Sequence, residues 1–187
     1  MAAPGFTVWL TGLPCSGKTT VARMLAAELE RAGRGVELLD GDVVRTHLSK
    51  DLGYTRADRD RNVERIGWVS TRLTRHGVAV VVAAVSPYRE TRNRVRSWIE
   101  EFGPFVEVWV NASPEVCARR DVKGLYARAF AGELKNMTGV DDPYEPPEQA
   151  EVVLETETIT PEEAVALVVS KLDELGLLTL SGSQLSE

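Results

Sequence analysis

The chain has 187 residues, of which 43% are hydrophobic and 27% are charged, and it carries a net charge of −6 at pH 7. This balance is typical of one globular domain and excludes a disordered chain, while the acidic charge argues against nucleic acid as a partner. Two cysteines, the lack of a secretory leader and the lack of any membrane-spanning apolar run predict a cytoplasmic protein with no membrane contact.

Strand patterns and helical patterns alternate along the chain. The predicted strands are Phe6–Thr11, Val36–Asp40, Val78–Val85, Phe105–Asn111 and Glu151–Leu154. Helical periodicity predicts helices over 17–32, 57–76, 89–102 and 114–120, and a capping box at 160–163 begins a last one. The alternation predicts an α/β fold, a doubly wound sheet of about five parallel strands flanked by helices, with ligands at the carboxyl ends of the strands. We expect a single domain over 1–178 and a frayed tail over 179–187.

A glycine-rich loop follows the first strand and precedes the first helix. Residues 12–19 match G-x-x-x-x-G-K-[ST] in the strand–loop–helix context in which this pattern binds phosphates. The loop N–H groups converge on phosphate oxygens, Lys18 adds a charge for the β- and γ-phosphates, and the Thr19 hydroxyl suits Mg²⁺. The predicted nucleoside triphosphate site consists of Gly12, Leu13, Pro14, Cys15, Ser16, Gly17, Lys18, Thr19 and Thr20.

Two carboxylates, Asp40 and Asp42, stand at the end of the second predicted strand. At this edge of the sheet one could hold a magnesium-bound water, and the other could accept a proton from an attacking hydroxyl. An ordinary turn, in which an aspartate caps the next helix, uses the same residues. Spacing alone does not separate these two interpretations.

Two further stretches have an unusual composition. Residues 43–98 hold 12 Lys and Arg against 5 Asp and Glu, which fits a small, highly anionic ligand, although some of these arginines are expected on solvated helix faces. Residues 121–148 are rich in charged residues, glycine and proline and show little strand signal. Beside a nucleotide site, such a segment predicts a lid or a substrate-binding element.

Several blocks of sequence are more specific than the phosphate loop. They are GLPCSGKTT, DGDVVR, LGYTRADRDRNVER, VSPYRETR and RRDVKGLYARAFAGELKNMTGVDDPYEPP, in this order. Together they resemble the adenylylsulfate (APS) kinases, a family of P-loop kinases, over about residues 7–175. The resemblance implies transfer of the ATP γ-phosphate to the 3′-hydroxyl of adenosine 5′-phosphosulfate (APS), giving 3′-phosphoadenylylsulfate (PAPS) in sulfate assimilation, with Mg²⁺. It also favours a homodimer and a functional association with ATP sulfurylase.

The resemblance carries roles to individual residues. The positions that match catalytic residues are Lys18, Asp40, Asp42, Ser86 and Lys123, and those that match metal-binding residues are Thr19 and Asp40. The positions that match APS-binding residues are Asp42, Arg45, Tyr54, Arg59, Asn62, Ser86, Pro87, Lys123, Met137, Thr138 and Gly139. Ser86 matches a possible phosphoserine intermediate, but direct in-line transfer needs fewer steps, so we expect Ser86 to line the acceptor site.

The chain departs from the family pattern at Tyr54 and Met137, where the family usually has phenylalanines thought to enclose the APS adenine. A tyrosine can still stack, whereas methionine offers a softer contact. Two other functions stay open on the sequence, a kinase of another small hydroxyl substrate and a non-catalytic nucleotide-binding partner of ATP sulfurylase. The Lys123 segment counts against the first, and the presence of Lys18 and Asp42 counts against the second.

Overall fold

Five parallel strands form one sheet in the computed structural model, which describes residues 4–178. The strands are β1 (Phe6–Thr11), β2 (Val36–Asp40), β3 (Ala79–Ala83), β4 (Phe105–Asn111) and β5 (Val152–Glu155). Their order across the sheet is β2-β3-β1-β4-β5, and each neighbouring pair is parallel. This confirms the doubly wound sheet predicted from the sequence. The predicted frayed tail at 179–187 lies outside the described residues.

Helices connect the strands and cover both faces of the sheet. They are α1 (Lys18–Arg31), α2 (Gly41–Leu48), α3 (Arg56–Arg75), α4 (Arg89–Glu100), α5 (Pro114–Arg120), α6 (Leu125–Phe130) and α7 (Pro161–Glu174). The predicted capping box at the start of α7 is present, with Thr160 and Glu163 bonded reciprocally. Within residues 4–178, no helix has both the length and the apolar character needed to cross a bilayer.

Side chains of the central strand β1 alternate between two hydrophobic cores. Phe6, Val8 and Leu10 join the core formed with α1 and α7, whereas Trp9 joins the core formed with α3 and α4. The latter two helices approach closely at Gly67, where a Cβ would come within 2.6 Å of the methyl groups of a valine on α4. Because both faces are covered, the loops at the carboxyl edge of the sheet are left to form a site.

The third strand is shorter than predicted. It ends at Ala83 and not at Val85, because the chain leaves the sheet to reach Ser86, whose backbone has a left-handed φ of 45°. Such a conformation is uncommon for a residue with a Cβ and cannot continue a strand. The apolar run did not signal this, since residues 84 and 85 are as apolar as the strand itself.

Two short helices were missed by the sequence prediction. Residues 41–48 form α2, and one Asp40 carboxylate oxygen caps this helix, while its other oxygen is bonded to Thr19. Residues 125–130 form α6 inside the segment predicted to be irregular, and the Asp121 carboxylate accepts hydrogen bonds from the backbone N–H groups of Tyr126 and Ala127. Both helices are too short for hydrophobic periodicity to stand out, so only their capping residues could have indicated them.

Candidate active site

A cavity of about 920 Å³ opens at the carboxyl edge of the sheet. Its walls come from the loop between β1 and α1, from the N-terminal part of α2, from α3, and from residues 122–138. The charged side chains that line it are Lys18, Arg23, Arg45, Arg59, Lys123, Arg128, Lys135, Asp40 and Asp42. Cations outnumber carboxylates, so the cavity favours ligands that carry several negative charges.

Most of the predicted site residues line this cavity. All five residues that match catalytic positions do so, and so do the predicted acceptor-site residues apart from Gly139. Gly139 instead packs on the phosphate loop. It lies so close to the loop that a Cβ on this residue would come within 2.7 Å of a Leu13 methyl group. Gly12, Leu13 and Ser16 do not line the cavity either, and shape the loop from behind.

The phosphate loop closes around its own lysine. Gly12 has φ 154° and passes so near β4 that a Cβ would lie 2.4 Å from the Val110 carbonyl oxygen. Gly17 caps α1 with φ 109°. The Lys18 ammonium donates to the carbonyl oxygens of Gly12 at 2.9 Å and Leu13 at 2.6 Å. Burial lowers the pKa of Lys18 to about 8.

Two residues hold the phosphate loop from behind, and the sequence prediction missed both. The Thr156 hydroxyl donates to the Ser16 carbonyl oxygen at 2.8 Å, and the Arg120 guanidinium donates to the same oxygen at 3.2 Å. They stand more than 100 positions from Ser16 along the chain, so no local pattern connects them to the loop. Their bonds fix the loop backbone to the ends of α5 and β5.

The two carboxylates occupy different environments. Asp40 is 8% exposed, and its carboxylate accepts hydrogen bonds from the Thr19 hydroxyl at 2.8 Å and from the Asp42 N–H at 2.9 Å. Asp42 is 71% exposed and its carboxylate contacts the ammonium of Lys123, whose pKa is raised by this bond. The buried Asp40 is therefore bonded to Thr19 at the end of the phosphate loop, whereas the exposed Asp42 lines the cavity and contacts the 121–148 segment through Lys123.

The far side of the cavity combines an aromatic ring, arginines and one unsatisfied amide. The Tyr54 ring lies 4.5 Å from the Arg45 guanidinium and 5.5 Å from the Arg59 guanidinium. Arg59 also donates to the Tyr54 and Asn136 carbonyl oxygens. Asn62 is 6% exposed, and its Oδ1 is the only buried side-chain polar atom without a partner in the part of the chain that is described.

Met137 reaches the cavity from a small hydrophobic cluster. It is 4% exposed and packs with Leu13, Cys117 and Tyr126. Only a small part of its side chain is therefore available to a ligand, in contrast to Tyr54, which is 51% exposed. Any aromatic sandwich at this position would rest mainly on the tyrosine.

Ser86 lies in the cavity wall with its hydroxyl already engaged. Its Oγ accepts a hydrogen bond from the Trp9 indole N–H at 3.0 Å, and the residue is 2% exposed. We expect Ser86→Ala to keep kcat within about tenfold of the wild-type value, because only a lining contact changes. Rapid-quench labelling with [γ-³²P]ATP checks this, and label that appears on Ser86 at the rate of turnover would contradict it.

The depressed pKa of Lys18 predicts a pH-dependent term in stability. The folded protein releases the lysine proton above about pH 8, whereas the unfolded chain holds it to pH 10.5. The unfolded state therefore binds more protons in this window, and the wild-type stability relative to Lys18→Met should rise with pH by up to about 1.4 kcal/mol per unit. Urea unfolding of both proteins at pH 7.5, 8.5 and 9.5 measures the difference. A difference that is constant or falls with pH would contradict the assignment.

Comparison with known proteins places the site in a family. Residues 4–155 match the family model of adenylylsulphate kinase. The chain is 57% identical over 178 residues to the adenylyl-sulfate kinase of Microcystis aeruginosa, covering 95% of this chain and 97% of that protein. It is 50% identical to a probable bifunctional SAT/APS kinase of Sorangium cellulosum, covering 96% of this chain and 30% of that protein.

A solved structure agrees with these relatives. The structure of the Mycobacterium tuberculosis APS kinase in complex with AMPPNP and APS superposes with a TM-score of 0.88. It is 38% identical in sequence, and the match covers 91% of this chain and 99% of that one. Sequence, fold and cavity therefore lead to the same conclusion: the chain belongs to the adenylylsulfate kinase family.

Proposed function

We infer that this protein is an adenylylsulfate kinase, which transfers the γ-phosphate of ATP to the 3′-hydroxyl of APS and releases PAPS and ADP. The observation that carries this function is the contact between Asp42 and Lys123 beside the phosphate loop. It brings a carboxylate, a cation of the 121–148 segment and the Lys18 loop to one cavity. These are the groups that position and neutralise a transferring phosphoryl group and accept the proton of its acceptor.

ATP is held by the phosphate loop in this proposal. The Lys18 ammonium exchanges its carbonyl partners for β- and γ-phosphate oxygens, and the positive end of α1 adds to the attraction. Lys123 lines the same cavity and supplies a second cation as charge moves between the nucleotide and the acceptor. Arg23, Arg128 and Lys135 extend the positive lining.

The residues beside Lys18 fit a magnesium ion. The Thr19 hydroxyl and an Asp40 carboxylate oxygen lie 2.8 Å apart, and both are the hard oxygen ligands that Mg²⁺ prefers. Across residues 4–178 there is no cluster of three or more His, Cys, Asp or Glu that could enclose a metal, as expected where phosphates and water complete the shell. Bound Mg²⁺ would neutralise charge on the β- and γ-phosphates.

The acceptor site occupies the other half of the cavity. We place the APS adenine against Tyr54, and the phosphosulfate near Arg45 and Arg59, whose planar guanidinium groups match its oxygens. The unpartnered Oδ1 of Asn62 would accept a hydrogen bond from a donor of the nucleoside. Asp42 then lies near the 3′-hydroxyl and takes its proton as the bond to phosphorus forms.

We propose that 1–178 is a single domain, acting in the cytoplasm, where ATP is available and where its two free cysteines stay reduced. The homodimer is proposed from the family resemblance alone, because a single exposed side chain such as Trp68 in α3 is ordinary on a protein surface. Functional association with ATP sulfurylase, the enzyme that makes APS, is supported by the Sorangium cellulosum relative, whose name as a probable bifunctional SAT/APS kinase joins two activities in one chain.

An acceptor panel tests the function. The purified protein is incubated with Mg²⁺, [γ-³²P]ATP and either APS, adenosine 5′-phosphate, gluconate or no acceptor. We expect fast transfer to APS alone. Faster transfer to gluconate would support a kinase of another small hydroxyl substrate, and nucleotide binding without transfer to any acceptor would support a non-catalytic role.

A further inference from the structure

Arg92 is an arginine of α4 that lies behind the wall of the cavity. Only 1% of its side chain is exposed. A guanidinium group in such a place is costly unless nearby acceptors satisfy its donors and a carboxylate compensates its charge. The acceptors that satisfy the Arg92 guanidinium therefore identify the segments of the chain that it holds together.

The guanidinium of Arg92 joins three separate segments of the chain. Its Nε donates to the Glu107 carboxylate in β4 at 2.9 Å. One terminal nitrogen donates to the Ser86 carbonyl oxygen at 2.6 Å, and the other donates to the Glu145 carbonyl oxygen at 2.7 Å. A planar fork with several donors can reach three acceptors in different directions, whereas a lysine ammonium on a flexible stem cannot hold all three.

The bond to Ser86 stabilises a strained backbone. Ser86 has φ 45°, in the left-handed region that costs a residue with a Cβ free energy. A strong bond from a charged donor to the Ser86 carbonyl favours this one orientation of the peptide. Ser86 and Pro87 both line the acceptor side of the cavity, so the orientation sets the shape of that wall.

The bond to Glu145 anchors residues 142–148, which we call the strap. The Glu145 N–H donates to the Pro87 carbonyl oxygen at 2.8 Å, and its carboxylate accepts from the Arg89 N–H at 2.8 Å. The Tyr144 hydroxyl lies 3.0 Å from the Thr11 hydroxyl in β1. The strap is therefore bound to the loop that follows β3, and Arg92 lies beneath both.

The strap in turn reaches the acceptor-binding side chains. The Tyr88 hydroxyl donates its one hydrogen to the Asp142 carboxylate, both of whose oxygens lie 2.9 Å away, and this carboxylate lies 3.7 Å from the Arg59 guanidinium. Arg59 is thus oriented by the strap on one side and by the Asn136 carbonyl on the other. A displacement of the strap would therefore move Arg59, whereas the phosphate loop keeps its own bonds to Arg120 and Thr156.

We propose that Arg92 is a positioning residue for the acceptor half of the site, acting through the Ser86 carbonyl and through the strap. The proposal rests on the inferred kinase function, since it assigns these contacts to APS binding. Its consequence is selective, because the ATP half of the cavity is held by Arg120 and Thr156 and has no bond to Arg92.

The test compares Arg92→Lys with wild type by steady-state kinetics and by hydrogen exchange. Lysine keeps a positive charge opposite Glu107, whereas Arg92→Met would leave this buried carboxylate with only the longer contact of 3.5 Å to Arg96. We expect the KM for APS to rise about tenfold or more, as the loss of one charged hydrogen bond predicts, and the KM for ATP to stay within about twofold. Amide exchange should accelerate in the strap and stay unchanged in α1.

Arg94→Met is the matched control, since this arginine of the same helix is 43% exposed and pairs with Glu64 and Glu90. It should change neither KM nor strap exchange. Parallel changes in both KM values for Arg92→Lys, unchanged strap exchange, or a variant that simply unfolds would assign Arg92 to general stability and overturn the proposal. Wild-type protein that makes no PAPS would refute the kinase function instead, and the exchange experiment would still test the anchoring of the strap.

Discussion

Replacement of Lys18 by alanine is expected to lower kcat at least about 100-fold while the protein stays folded. The ammonium lies in the phosphate loop and is 8% exposed, where it bonds to backbone carbonyls of the same loop. In the presence of ATP it works on phosphate charge, and its contribution to the transfer step is electrostatic. Measurement of kcat with saturating ATP and APS, together with near-UV circular dichroism, separates lost chemistry from lost structure.

The control for this variant is Lys50→Ala, which removes the same charge from an exposed position beyond α2. It should retain wild-type kcat. If Lys18→Ala kept more than about a tenth of the wild-type kcat, the loss would be below ~1.4 kcal/mol of transition-state stabilisation, and the role assigned to the lysine would be wrong.

Replacement of Asp42 by asparagine should also lower kcat about 100-fold or more. The change preserves shape and removes the basic oxygen that takes the proton from the 3′-hydroxyl. Asp42 is exposed to the cavity and contacts Lys123, so the substitution should leave the fold unaffected. Folding is checked by thermal unfolding, and the loss of chemistry by kcat at saturating ATP and APS.

Asp40→Asn is the matched comparison for the pair of acids. An asparagine can still cap α2, but it gives the Thr19 site a neutral oxygen in place of a carboxylate. We expect this variant to need more Mg²⁺ for half-maximal rate and to recover activity at high Mg²⁺. If Asp40→Asn were inactive at all Mg²⁺ concentrations and Asp42→Asn nearly normal, the two roles would be reversed.

Much of the architecture could be predicted because its signals are local. The bounds of β1, β2 and β4 agree with the strand patterns, and the glycine loop follows β1 as predicted. The resemblance to a family identified cavity-lining residues from distant parts of the chain, such as Arg59 and Lys123. These features depend on residue type and spacing, which the sequence displays directly.

The features that could not be predicted depend on contacts between distant residues. Arg92 stands three and seven residues before Val95 and Ile99, on the buried face of α4, but this spacing does not indicate that its guanidinium joins Glu107, Ser86 and Glu145, which lie in other segments. The sequence around Met137 likewise does not indicate that this residue packs into a hydrophobic cluster and exposes little surface. Segment 121–148 looked uniform in composition, yet its last part is fastened by hydrogen bonds to β1 and to the loop after β3.

The central claim, phosphoryl transfer to the 3′-hydroxyl of APS, is tested most directly by a single turnover with excess enzyme. Wild-type protein is mixed with Mg²⁺, ATP and APS, the reaction is quenched, and the products are identified by mass spectrometry and ³¹P NMR. The account predicts equal amounts of ADP and PAPS, with the new phosphate on the ribose 3′-oxygen. Release of inorganic phosphate with unchanged APS, or a phosphate at any other position, would contradict it.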